Sequence, residues 1–233
     1  MADQLKPTVS IESLLESNAQ WAADVLKAEP DFFTNSAKGQ SPHTLWIGCA
    51  DSRVPDSVIT AAKPGDIFVH RNIANQLRLD DPNVLSVLRY AVHYLGVEHV
   101  VIVGHTECGG AAACLAAAQS PSLNVNAPIA TIPSLPADSS LNRWLEPLTK
   151  LAASLKVSAI PHNEALPLLV EENVKAQVEN LSNTVAIQDA WTKGTSKGQN
   201  VWLHGWVYDL KTGLLKDLNI TRSPPGKAPK SVA

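Results

Sequence analysis

With 233 residues, 45% of them hydrophobic, the chain has apolar material for one sizeable core and is long for two independent ones. A formal net charge of -3 gives no electrostatic basis for a nucleic-acid or anionic-membrane partner, so a small molecule is the expected one. Three cysteines are too few and too unevenly placed for a disulfide framework, which leaves thiols, metal ligands or nucleophiles in a reducing compartment.

The first ten residues lack the basic and apolar regions of a secretory signal and the Arg-rich composition of a transit peptide. No apolar run is long enough to span a bilayer, and the expected location is the cytoplasm. From Ile11 to Lys27, Leu14, Leu15, Trp21, Ala22, Val25 and Leu26 recur at nearly helical spacing, with Ser10 placed to cap the start. Thr44 to Cys49 is a short apolar run of the kind that forms a buried strand. Pro64-Gly65-Asp66 is turn chemistry, and Ile67-Phe68-Val69 after it reads as a second strand.

Asp81-Pro82 reads as a helix entrance. Leu85, Leu88, Val92 and Leu95 then step at i+3 and i+4 up to Gly96. Val100 to Gly104 is the clearest buried strand, delivering His105 at its end, and Ala111 to Gln119 has helical composition. Ser120 to Ser140, rich in Pro, Ser and Asn, reads as a partly mobile surface excursion. Helical patterns follow over 141–155, 164–181 and 184–193, interrupted around Pro161 and Pro167. Trp202 to Tyr208 then reads as a strand that Lys211-Thr212-Gly213 turns into a hairpin with Leu214 to Leu218.

The expected fold is α/β, with a mostly parallel central sheet of about four strands plus an edge strand from Val201 to Tyr208, flanked by helices on both sides. Residues 1–39 are read as a helical arm that buries its apolar stripe on a partner subunit, 40–221 as the α/β domain and 222–233 as a loose tail.

Cys49-Ala50-Asp51-Ser52-Arg53 follows the first strand, and His105-Thr106-Glu107-Cys108-Gly109-Gly110 follows the third. In an open α/β sheet such C-terminal loops meet at a ligand-binding crevice. Thiolate and imidazole are the usual donors to zinc, and three protein ligands with one open position make a catalytic site. The competing reading is that these cysteines are small buried hydrophobes, which suits Cys114 among its Ala and Leu neighbours. Asp51 and Arg53 are either a surface ion pair or a pair beside the metal, in which Arg53 keeps Asp51 ionised and able to accept a proton from a metal-bound water. His43, His70, His93, His99, His162 and His204 lack a cysteine or second histidine at ligand spacing and are read as structural.

The two motifs resemble the paired signatures of β-class carbonic anhydrases, and the likeness runs from about Gln40 to Leu218 through residues 64–75, Tyr90-Ala91-Val92 and residues 204–208. The resemblance implies reversible hydration of carbon dioxide to bicarbonate and a proton by a zinc-bound hydroxide, with one Zn2+ per chain on Cys49, His105 and Cys108. It implies that Gln40 hydrogen-bonds substrate oxygen and that Phe68, Ile73, Tyr90 and Gly109 form the substrate pocket. It further implies that Gln40, Phe68 and Tyr90 act in the partner's site, making a homodimer the catalytic unit, or a tetramer of such pairs.

Trp46, Arg71 and Tyr208 match a regulatory bicarbonate pocket found in one subset of the family, where the equivalent of Asp51 becomes a fourth zinc ligand in an inactive form. The alternative is that Trp46 and Tyr208 are strand core and Arg71 an interface residue. The excursion and short tail point to a eukaryotic, fungal, cytosolic member. Two rival functions keep the scaffold: hydrolysis of carbon disulfide, and noncatalytic bicarbonate sensing around a structural zinc.

Overall fold

The structure, a computed structural model, describes residues 10–228. They fall into two compact units divided between Gln40 and Ser41. Residues 1–9 of the expected arm and 229–233 of the expected tail lie outside the described residues.

The first unit holds α1 (Ile11–Ala28) and α2 (Phe32–Ser36). Ser10 caps α1 as expected, its hydroxyl accepting from the Ser13 amide at 3.1 Å. The rings of Trp21 and Phe33 meet edge to face at 5.6 Å. Ile11, Leu14, Leu15 and Leu26 remain exposed on α1.

The second unit is built on β1 (Thr44–Cys49), β2 (Ile67–Asn72), β3 (His99–His105), β4 (Trp202–Asp209) and β5 (Leu214–Asp217), in the order β2-β1-β3-β4-β5. The first four are parallel, and β5 pairs antiparallel with β4. Val201 to Tyr208 was expected at an edge. It lies inside, because the hairpin it starts folds back and covers it. β2 also runs three residues past the apolar stretch, since His70, Arg71 and Asn72 pair with Ile47, Gly48 and Cys49. The ladder needs only their backbone groups.

Helices lie on both faces, unequally. The β1-to-β2 connection moves one way across the sheet and carries only α3 (Asp56–Ile59), while the β2-to-β3 and β3-to-β4 connections move the other way. Right-handed crossovers in opposite directions lie on opposite faces. The second face therefore receives α4 (Pro82–Arg89) with its π-helical continuation Tyr90–Leu95, α5 (Gly109–Ala118), α6 (Ser140–Ser154), α7 (His162–Ser182) and α8 (Val185–Lys193). Leu45, Ile47, Val100, Ile102 and Leu203 pack there against the helices in the main core. On the α3 face Trp46, Val101 and Val103 form a small cluster with Ile59, Val69 and Trp206.

Pro167 does not interrupt α7, which runs through it. One backbone bond near the helix start is given up, and Leu166, Leu169, Val170 and Val174 still bury their side chains. The excursion after α5 has no regular element, but it is tied down: Asn142 accepts from the Ile132 amide at 2.7 Å and donates to the Pro136 carbonyl at 2.9 Å. Among the described residues no helix is long and apolar enough to cross a membrane.

Candidate metal centre

β1 and β3 are neighbours in register, so the loops leaving their C-terminal ends start side by side. Cys49 ends β1, His105 ends β3, and Cys108 follows after a sharp turn in which Glu107 is left-handed, with φ 55°. Their ligand atoms lie within 4.8 Å of one another, and all three residues are buried. The spacing expected from sequence thus becomes one cluster.

The donors are prepared for a cation. His105 Nδ1–H donates to the Thr106 carbonyl at 2.8 Å, which leaves Nε2 as the lone-pair nitrogen. That Nε2 is fully buried and has no hydrogen-bond partner. The backbone groups of Asp51 and Ala74 lower the Cys49 pKa, and those of Gly110 and Ala111, in the first turn of α5, act in the same direction on Cys108. The Cys108 side chain, more than any other group, holds Cys49 well below the usual thiol range against the effect of burial, while Cys49 and burial together push Cys108 far up. Burial lowers the His105 pKa, but the Cys49 sulfur beside it more than compensates and the net direction is upward. An orphaned imidazole nitrogen beside two sulfurs fits a borderline-soft divalent ion, and three donors are one short of the four that zinc usually takes.

Asp51 and Arg53 are paired beside this cluster, with Asp51 partly buried and Arg53 exposed. Asp51 Oδ1 accepts from Arg53 N at 2.9 Å and Nε at 3.0 Å, and Oδ2 accepts from Nη2 at 2.7 Å. The same Nη2 donates to the Glu107 carbonyl at 3.1 Å, joining the two motif loops. Asp51 Oδ2 is 3.8 Å from His105 Nε2. The Arg53 side chain, more than any other group, holds the Asp51 carboxyl down at about 2.

The expected pocket residues divide into two places. Ile73 and Gly109 adjoin the cluster. A Cβ on Gly110 would stand 3.1 Å from both Ile73 Cγ2 and Ala74 Cβ, so glycine is what lets the segment after β2 close against the start of α5. Phe68 instead pairs with Leu45, four residues before Cys49, about 13 Å along the strand. Its ring lies 5.9 Å from that of Tyr90, which is itself stacked on Tyr94 at 5.6 Å. Gln40 is the last residue of the N-terminal unit and is exposed.

Trp46 is buried against the Trp206 ring at 6.5 Å. The pairing puts Trp46, Arg71 and Tyr208 on the α3 face of the sheet. Arg71 also does something its sequence context does not announce: Nε donates to the Cys49 carbonyl at 2.7 Å and Nη2 to the Asp51 carbonyl at 2.5 Å. Asn173, on α7, likewise fixes left-handed Ala74 through a 2.9 Å bond to its carbonyl. No local pattern signals that contact across 99 residues.

Comparison with known proteins agrees with this geometry. A family model described as carbonic anhydrase matches residues 44–215. The chain belongs to the carbonic anhydrase family, in its β class. A carbonic anhydrase of Emericella nidulans is 38% identical over 90% of this chain and 83% of the relative. One from Pseudomonas aeruginosa is 32% identical over 90% and 88%. Among solved structures, a Coccomyxa β-carbonic anhydrase in complex with acetazolamide superposes with a TM-score of 0.77 at 31% identity, covering 93% of this chain and 89% of that one. A structure from Sordaria macrospora, where two β-carbonic anhydrases are described as tetrameric, gives 0.75 at 34%, covering 91% and 98%. The protein is thus a carbonic anhydrase enzyme, and Cys49, His105 and Cys108 form a group that could hold its metal.

Proposed function

We propose that the chain hydrates carbon dioxide reversibly to bicarbonate and a proton, with one zinc ion held by Cys49, His105 and Cys108. The observation that carries this reading is the buried, unpartnered His105 Nε2 within 4.8 Å of two cysteine sulfurs. Zinc supplies Lewis acidity there, bringing the pKa of water toward about 7.

The chain's own residues supply orientation. A carboxyl held at about 2 is too weak a base to keep a proton near neutral pH. Asp51 is therefore an orienting acceptor: it takes a hydrogen bond from the attacking O–H and turns the oxygen lone pair toward the substrate carbon. Arg53, bound to both carboxylate oxygens, fixes the direction. This pairing also speaks against a sensor whose fourth metal position is permanently filled by Asp51, and no observation favours carbon disulfide.

The substrate pocket is read as shared between subunits. Phe68 stands about 13 Å along the sheet from the same chain's Cys49, and Tyr90 lies against Phe68, which supports their action, with Gln40, in a partner's site. The tetrameric Sordaria relatives support the same assembly. Regulation by bicarbonate at Trp46, Arg71 and Tyr208 is a further part of the reading. Tyr208→Phe tests it more cleanly than a change at Arg71, which holds the metal-site loop; unchanged bicarbonate inhibition in Tyr208→Phe removes it. The main test is zinc content alongside carbon dioxide hydration across pH, before and after chelation. About one zinc per chain and chelator-sensitive activity are expected, and a zinc-loaded chain inactive at alkaline pH overturns the proposal.

A further inference from the structure

Beyond the ligands and the Asp51–Arg53 pair, the metal-site loop is gripped from a second direction. Thr106 is the hub. Its amide donates to the Tyr208 carbonyl at 3.0 Å, carrying the β3–β4 pairing one residue past His105. Its hydroxyl donates to Asp209 Oδ1 at 3.3 Å and accepts from the Leu210 amide at 2.9 Å. Its carbonyl, outside the ladder, holds His105 Nδ1 at 2.8 Å. The next residue, Glu107, is left-handed, so the chain leaves the sheet at this peptide.

Asp209 is itself fixed before it meets Thr106. Its Oδ1 accepts from the Lys211 amide at 2.9 Å and its Oδ2 from the Thr212 hydroxyl at 3.0 Å. The turn is closed by the Gly213 amide donating to the Asp209 carbonyl at 2.8 Å. Among the described residues the β4–β5 turn hydrogen-bonds the side chains of the His105 loop through the Thr106 hydroxyl, and an exposed Lys211–Glu107 ion pair at 3.9 Å adds a looser contact.

We propose that Thr106 and Asp209 are positioning residues for the metal centre: the β4–β5 turn holds the Thr106 peptide, and the Thr106 carbonyl aims the His105 imidazole at the metal. This rests on the zinc reading above. An imidazole whose orienting carbonyl can swing binds metal less tightly, because part of the binding free energy goes into fixing it. Groups that orient a metal-bound histidine are typically worth 10- to 100-fold in affinity.

Zinc affinity measured by competition with a chromophoric chelator tests the idea without reference to turnover. Thr106→Val keeps the shape and removes the hydroxyl; it should bind zinc about 10- to 100-fold more weakly. Thr106→Ser restores the hydroxyl and should bind like the parent. Asp209→Ala should weaken binding and Asp209→Asn, which keeps an acceptor oxygen, should not. Asp209 lies on a half-exposed turn, so this second pair carries the test should Thr106→Val fail to fold. Parental affinity in folded Thr106→Val or in Asp209→Ala overturns the inference, as does equal weakening in the conservative variants. A parent chain that binds no zinc overturns the zinc reading itself, which separates the two failures.

Discussion

His204 should make the fold acid-sensitive in a window set by one buried ring. It lies on β4, 1% exposed, with Nε2 2.9 Å from His99 Nδ1 and Nδ1 3.1 Å from the Thr221 hydroxyl. Burial, with the His99 imidazole next in weight, pulls its pKa from 6.5 to about 4, and Asp217 opposes only in part. The folded chain therefore keeps His204 neutral at pH values where the unfolded chain has protonated it. Stability from this group is complete above pH 6.5 and is lost as pH falls from 6.5 toward 4. At about 1.4 kcal/mol per pH unit, the whole gap is worth roughly 3 kcal/mol, a sizeable part of a typical folding free energy.

The assay is urea unfolding followed by tryptophan fluorescence at several pH values between 7.5 and 4.5 (roughly the window of a shifted imidazole), comparing the parent with His204→Gln. Gln cannot take up the proton, so the variant should lose less stability over that range. Release of metal in acid affects both chains alike, since His204 pairs with Val101, four residues before His105 on the neighbouring strand. Identical pH slopes for parent and variant would refute the reasoning and assign the acid limb to other groups.

Gly48→Ala should be costly although the change is one methyl, because the new Cβ would overlap Trp46 Nε1 and stand 3.0 Å from Trp46 Cδ1 in a buried cluster. A loss of about 1–3 kcal/mol in urea unfolding is expected; parental stability would mean that the Trp46 ring can move aside. Asp51→Asn should cut carbon dioxide hydration on the order of 100-fold, the scale of a lost positioning contact, while zinc content stays at the parental level. It should also flatten the stability lost between pH 3.8 and about 2, where Asp51 is protonated first in the unfolded chain.

Much of the site was legible because its chemistry is written in residue types at short range. Cys49 with Asp51 and Arg53, and His105 with Cys108, sit at the ends of apolar runs that could be little else than buried strands. The parallel order followed from the helical stretches between them. Local pattern also placed Ser10 as a cap and Leu214 in a hairpin. It misplaced the boundary of β2, because pairing uses backbone groups that His70, Arg71 and Asn72 own as fully as any apolar residue. It read breaks into α7 at Pro167, where packing outweighs one missing bond.

The sequence by itself determined the fold class and the candidate donors, with Cys49 and His105 at the ends of two strands, since those depend on side-chain chemistry and periodicity within a few residues. Only the tertiary structure decided how the donors are held. The grip of Arg71 on the Cys49 and Asp51 carbonyls, of Asn173 on Ala74 and of Asp209 on Thr106 joins segments 20 to 103 residues apart. Such contacts are made by backbone carbonyls and common polar side chains, whose identity says nothing of a partner until folding brings it within 3 Å or so.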